Sequence, residues 1–392
     1  MELSTVFFSY AFPPLKYPRS IQVSHLARYT EYPLRVICAE EKSPRDESLT
    51  ALLPSELEVH RFPRETWLSD GLRSRLPMCF RFPDLTAGWA RQVGQKMVER
   101  QLISSNETLV TFGNPMSDHL VGLDIKHALG VPWIAHFSDP WVDNPYLNFT
   151  KRSLQKVLLL EREIIENSDY VVFTSSETEA LVMGKYPAEW KHKSLVIPHC
   201  YDASLYPKKS LVPNRKVTFR YLGNLYGLRS SRYLVDGVEA FLRLYPQYKE
   251  SISFEVIGGS SQPGYSRTCP LLFHRPAVSY LESLQLMVDA DVLVVLDAPA
   301  ELNVFFPSKL SDYIGSGRKI LGITPTGSSQ RIIEELGGEV ANPLQPEDIA
   351  NSIHRIFTSC RSNSLKAPVS IASKYSVEEV VKSFDGLLGK LR

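Results

Sequence analysis

Cysteine is scarce and scattered. The five, Cys38, Cys79, Cys200, Cys269 and Cys360, are odd in number and form no CxxC pair. That pattern argues against a zinc site and a disulfide framework, and fits a reducing cytoplasm. Long apolar runs are missing too: none approaches the roughly 18–20 residues that span a bilayer. Charge of one sign is not in excess. The net charge is +1, so no overall field would gather nucleic acid. No GxGxxG turn opens a helix, which removes the usual dinucleotide fingerprint. No DxD pair appears in a metal-like setting; Asp139 and Asp143 flank Pro140 at a spacing poorly suited to a shared ion, so no metal is expected. The opening MELSTVFFSYAFPP lacks a basic leader segment and reads as a first strand.

What is present is alternation. A chain of 392 residues exceeds the size of most single cores, and 43% hydrophobic with 22% charged residues is a globular composition. Short apolar runs at Thr5–Tyr10, Arg35–Ala39, Leu109–Phe112, Trp133–Phe137, Tyr170–Thr174 and Leu195–Pro198 read as strands. Helical patterns separate them at Ser20–Tyr29, Thr86–Ile103, Ser117–Leu129, Lys151–Asn167 and Glu177–Lys185. The pattern then restarts. Strands are expected at Val217–Tyr221, Ser253–Ile257, Val292–Leu296 and Ile320–Ile323, with helices at Tyr233–Leu244, Val278–Asp289, from Ser308, Ser328–Leu336 and Pro346–Phe357. An amphipathic tail covers Val377–Leu391. Alternation of this kind predicts parallel sheets covered by helices, here in two successive α/β domains with a hinge near 200–213. No low-complexity segment or short repeat interrupts it.

The most informative stretch is Val304–Ile320, VFFPSKLSDYIGSGRKI, which follows the buried-strand run DVLVVLDAP. A strand opens through Pro307 into an amphipathic helix that is expected to end at Gly315 and Gly317. In a doubly wound sheet ligands bind at such a passage, and a helix N-terminus offers amides and a positive dipole end to phosphate. Ser308, Lys309 and Asp312 on the first turns would gather a hydroxyl, a cation and a carboxylate around one nucleotide. A plain strand–helix unit with a solvated polar face is the alternative. Gly223-Asn224 and Gly258-Gly259 form glycine turns at two other strand ends, where backbone can approach a ligand closely.

Several segments together resemble the family-four GT-B glycosyltransferases, the retaining, nucleotide-sugar-dependent group. Val196-Ile197-Pro198-His199-Cys200-Tyr201-Asp202, ending at Tyr206-Pro207, is similar to the interdomain VIPNGVD…F.P segment, with Cys200 in place of glycine. Ala290-Asp291-Val292 resembles the ADV that opens the strand before the donor site. The Pro307-Ser308-Lys309-Leu310-x-x-Tyr313 helix start resembles one branch of the family. That branch also matches Gly130–Trp141 (GVPWIAHFSDPW) and Phe82-Pro83-Asp84 with Trp89. The glycine-rich loop after the first strand is replaced by Arg19-Ser20. Matching Gly317 to the late glycine of the family's E-x7-E region puts Asp312 at the second acidic position. The first acidic position falls on Val304, a departure for which Glu301 is the candidate substitute.

The resemblance implies two Rossmann-like doubly wound domains facing a central cleft. The expected spans are residues 1–200 for the acceptor side, 201–373 for the donor side, and a C-terminal helix, 374–392, that crosses back onto the first domain. It implies transfer of a sugar from a nucleoside-diphosphate sugar to an acceptor hydroxyl on a glycan or lipid-linked glycan, with retention and without a metal or other cofactor. Donor-site residues would be Gly223, Asn224, Arg229, Gly258, Pro307, Ser308, Lys309, Leu310 and Asp312. Arg229 and Lys309 would contact the diphosphate and Asp312 the ribose hydroxyls. His136 and Asp139, at the end of a strand, would touch donor sugar and acceptor; the alternatives are a core histidine bonded to backbone and an aspartate capping the Pro140 turn. His119 is read as helix surface. Segment 61–100 carries eight Lys/Arg against four Asp/Glu, interleaved with Trp67, Leu68, Leu72, Leu76, Phe80 and Phe82. It is a candidate for peripheral contact with the inner membrane face, or an ordinary loop packed on its domain. Two other readings stay open: a nucleotide-sugar epimerase of the same fold and a catalytically silent binding protein.

Overall fold

The computed structural model describes residues 4–42, 44–64, 82–147, 149–208, 216–259, 269–361 and 369–391. Residues 65–81 of the basic and aromatic 61–100 segment, Trp67 to Phe80 included, lie outside them, as do residues 209–213 of the expected hinge. The chain divides into two compact units, Met1–Pro198 with Val380–Arg392, and His199–Glu379. The expected cuts at 200/201 and 373/374 compare with 198/199 and 379/380.

The first unit is built on seven parallel strands: β1 (Thr5–Ser9), β2 (Leu34–Glu40), β3 (Glu58–Pro63), β4 (Thr108–Phe112), β5 (Trp133–His136), β6 (Tyr170–Phe173) and β7 (Ser194–Val196). They lie in the order β3-β2-β1-β4-β5-β6-β7. Helices α1 (Pro18–Tyr29), α2 (Ala87–Glu99), α3 (Asp118–Leu129), α4 (Lys151–Asn167) and α5 (Ser176–Met183) alternate with them. β1 and β4 are buried at every position, which is why their sequences, TVFFS and TLVTF, read as near-continuous apolar runs.

The second unit repeats the scheme with β8 (Val217–Leu222), β9 (Ile252–Ile257), β10 (Leu272–Arg275), β11 (Val292–Leu296), β12 (Lys319–Ile323) and β13 (Glu339–Ala341). Their order is β10-β9-β8-β11-β12-β13, and every pairing is parallel. Its helices are α6 (Arg232–Leu244), α7 (Tyr280–Asp289), α8 (Ser308–Ser316), α9 (Ser328–Glu335), α10 (Pro346–Arg361) and the single turn α11 (Val369–Ala372), after which α12 (Val377–Gly389) leads out of the unit. Each unit is therefore the doubly wound α/β fold that alternation predicts. In each, strand order reverses beside the first strand, between β1 and β4 and between β8 and β11.

Three strands escape the sequence reading, β3, β10 and β13, and all three are sheet edges. Their sequences, EVHRFP, LFHR and EVA, are polar or short because one side faces water. Gly315 does not end α8. It lies inside that helix, where a Cβ would come within 2.5 Å of the Tyr206 hydroxyl and 2.6 Å of the Tyr201 ring. The helix stops at Gly317, which is left-handed at φ 63°.

From Val380 on, α12 belongs to the first unit. Phe384 is fully buried and meets Phe7 of β1 edge-on at 5.8 Å. The Asp385 carboxylate accepts the Thr30 hydroxyl at 2.7 Å and the Glu31 amide at 3.0 Å, closing the end of α1. No helix among the described residues is long and apolar enough to cross a membrane.

Candidate functional site

Register assembles the site. β8 pairs with β9 from Val217↔Ile252 to Leu222↔Ile257, so Gly223 and Gly258 emerge side by side. β11 pairs with β12 up to Leu296↔Ile323, so Asp297 and Thr324 emerge together. The gap between β8 and β11 is the point where the strand order reverses, and loops from both strands flank it.

Both glycines have positive φ, 140° at Gly223 and 148° at Gly258. A Cβ on Gly258 would come within 2.1 Å of the Gly223 carbonyl oxygen. A Cβ on Gly223 would come within 2.1 Å of the Lys309 Nζ. The turns are stacked without side chains, and the ammonium of Lys309 occupies the space left open. Lys309 Nζ donates to the Tyr221 hydroxyl at 2.9 Å and lies 4.2 Å from the centre of that ring. Tyr221 in turn donates to the Asn224 carbonyl at 3.0 Å. The Asn224 side chain accepts the Gly259 amide at 3.1 Å and ties the two turns together. Burial pushes the Lys309 ammonium well below the usual lysine range, and the nearby Arg229 pushes the same way; Asp297 and Asp312 oppose them.

Arg229 is 8% exposed. Its guanidinium forks, donating from Nη2 to Asp297 Oδ1 at 3.1 Å and from Nη1 to the Tyr226 hydroxyl at 3.1 Å. Arg229 is therefore held within the fold rather than solvated in its loop.

Helix α8 begins at Ser308 behind Pro307, which supplies no side-chain cap. Leu310 is fully buried and anchors the helix on the core rather than offering a side chain to a ligand. Asp312 is half-buried. Its carboxylate accepts the Tyr280 hydroxyl at 3.0 Å, and its backbone carbonyl accepts the Tyr206 hydroxyl at 2.8 Å. Burial raises its pKa from 3.8 to about 7; the Tyr280 bond and the Lys309 charge pull it down in part. Val304, at the first acidic position of the family motif, is 5% exposed and packs in the core, while Glu301 is exposed.

The other two expected residues belong to the first unit. His136 ends β5, is 4% exposed and lies 5.2 Å from the Phe112 ring. Asp139 follows in the next loop, is half-buried, and is close enough to Arg19 to act on its charge. Arg19, standing where the family has glycine, is itself buried on α1 and donates to the Gly113 carbonyl. His119 is not on a helix surface. It is fully buried, its Nδ1 lies 2.8 Å from the Thr111 hydroxyl, and it stacks on Phe137 at 4.3 Å. Burial, then the Arg19 charge, lowers its pKa to about 3, so it stays neutral near pH 7.

The sequence reading missed four side chains here: Tyr221, Tyr280, Asp297 and Asn303. Asp297 had left a signal, since a lone acid closing the apolar run DVLVVLD stands at a strand's carboxyl end.

No protein-family model matches the sequence, and no curated protein matches it. Solved structures do resemble it along nearly its whole length. Anabaena HepE in complex with UDP and glucose superposes with a TM-score of 0.68 at 14% identity, covering 99% of this chain and 100% of that one. Sucrose-phosphate synthase from Thermosynechococcus elongatus gives a TM-score of 0.68 at 13% identity, with 99% of each chain covered. The lipopolysaccharide outer core galactosyltransferase WaaB, in its apo form, gives 0.63 at 15% identity, with 99% of each covered. The fold is that of the GT-B glycosyltransferases.

Proposed function

We propose that this protein transfers a glycosyl group from a nucleoside-diphosphate sugar to an acceptor hydroxyl. The observation that carries the reading is the Lys309 ammonium lodged over the side-chain-free Gly223 turn at the strand-order reversal, with Arg229 beside it. A buried arginine and a half-buried lysine at one sheet edge suit a diphosphate, whose terminal oxygens gain charge as the sugar departs. The resemblance to structures solved with UDP and UDP-glucose supports the same reading and puts UDP first among candidate nucleotides.

In this reading Lys309, Arg229 and the amides at the start of α8 hold the diphosphate, and Asp312, steadied by Tyr280, takes the ribose hydroxyls. The bond from the anomeric carbon to phosphate oxygen breaks, and a bond to the acceptor oxygen forms on the same face. The acceptor proton passes to the departing phosphate oxygen, so retention requires no separate strong base. Charge stabilisation comes from side chains, without a metal. His136 and Asp139 serve the sugar and the acceptor, a glycan or lipid-linked glycan, and the reaction is cytoplasmic.

Thermal shift against UDP, GDP, dTDP and CMP tests the binding half. One nucleoside diphosphate should raise Tm, and the matching sugar nucleotide should then be consumed, with the same rate in EDTA. No shift with any nucleotide would sink the reading. A shift without turnover in the presence of glycan acceptors would leave a binding protein instead.

A further inference from the structure

The carboxylate of Asp297 is the meeting point of three loops. It leaves β11 at the same level as Thr324 leaves β12, and its own amide donates to the Ile323 carbonyl at 3.0 Å. It is 4% exposed. Three donors converge on its two oxygens: Arg229 Nη2 on Oδ1 at 3.1 Å, and Asn303 Nδ2 and Thr324 Oγ1 on Oδ2, each at 2.9 Å. Asn303 belongs to the loop between β11 and α8. Its side chain also donates to the Ser329 hydroxyl at 3.1 Å, and its backbone carbonyl accepts the Ser328 amide at 2.7 Å. The loop that leads into α8 is thereby fastened to the start of α9.

We propose that Asp297 is a positioning residue for the anion site, holding the Arg229 guanidinium in its working orientation and locking the β11–α8 loop beside it. The inference rests on the nucleoside-diphosphate reading of the same site. Arginine carries large rotamer freedom when unanchored. A guanidinium already forked between Asp297 and Tyr226 does not lose that freedom when an anion arrives, which is how preorganisation adds affinity. An aspartate beside a phosphate site would otherwise be a liability, because its charge repels the ligand. A carboxylate whose two oxygens are both engaged by donors turns that charge onto the protein's own groups.

The test is isothermal titration of wild type, Asp297→Asn, Arg229→Ala and the double variant with UDP, GDP, dTDP and the corresponding nucleosides. Asparagine keeps the shape but must present an amide to a donor, either Arg229 or the Asn303–Thr324 pair. Asp297→Asn should weaken the bound nucleoside diphosphate about tenfold, leave nucleoside affinity unchanged, and add nothing further in the Arg229→Ala background. A wild type that binds no nucleotide overturns the reading beneath, and the inference with it. A wild type that binds while Asp297→Asn binds equally or more tightly overturns the inference alone, as do additive losses or an equal loss of nucleoside. Should Asp297→Asn fail to fold, Arg229→Lys carries the question: it keeps the charge but not the fork. Binding as in wild type would count against Asp297, and a loss close to that of Arg229→Ala would support it.

Discussion

At the scale of single residues, the site depends on what two glycines leave out. Gly223→Ala would drive a methyl into the Lys309 Nζ, in a backbone conformation that L residues rarely adopt. Diphosphate affinity should fall with it, as calorimetric titration would record. Lys309→Ala and Arg229→Ala should each weaken diphosphate binding by about 1.5–3 kcal/mol, the scale of a charge-assisted hydrogen bond, and spare the nucleoside. Unchanged affinity in both would remove them from the site. Asp312 gives a pH signature. Its folded pKa of about 7 exceeds the ordinary 3.8, so across that window the folded chain holds more protons than the unfolded one. Stability therefore falls as pH rises from about 4 to about 7. Urea midpoints for wild type and Asp312→Asn should diverge across that range, the wild type losing more; parallel curves would show that the carboxyl is not pushed up. His119 behaves oppositely. With a folded pKa near 3, its imidazole signal should not titrate between about pH 7 and pH 5.

At the scale of elements, what was legible and what was not follows from solvent. β1, β4 and β11 lie between two helical layers, so burial writes them as apolar runs. The edge strands β3, β10 and β13 pair on one side only, and Leu272–Arg275 is exposed at three of its four positions. Helix caps were partly legible. Ser279 accepts the Glu282 amide at 3.3 Å, so α7 starts two residues after the expected Val278. Ser279→Ala should cost about 1 kcal/mol of stability in chemical denaturation. Gly315 misled because a glycine inside a helix usually marks its end; here it makes room for Tyr201 and Tyr206, rings that come from more than a hundred residues away in the chain.

At the scale of the molecule, the chain returns on itself: α12 closes the first unit from the far end of the sequence. Phe384→Ala should destabilise that unit by about 3–5 kcal/mol, the usual cost of a buried phenylalanine, read as an earlier loss of structure on heating. By itself the sequence determined the alternation, the restart near residue 217 and the buried central strands, because burial imposes composition locally and periodically. It also placed Lys309 at a helix start and Gly223 at a strand end. Only the tertiary structure decided that Lys309 would meet Tyr221 across 88 residues and Arg229 would meet Asp297 across 68. Those meetings depend on strand order and register, which join distant segments, and a polar side chain carries no mark of the partner that folding will bring to it.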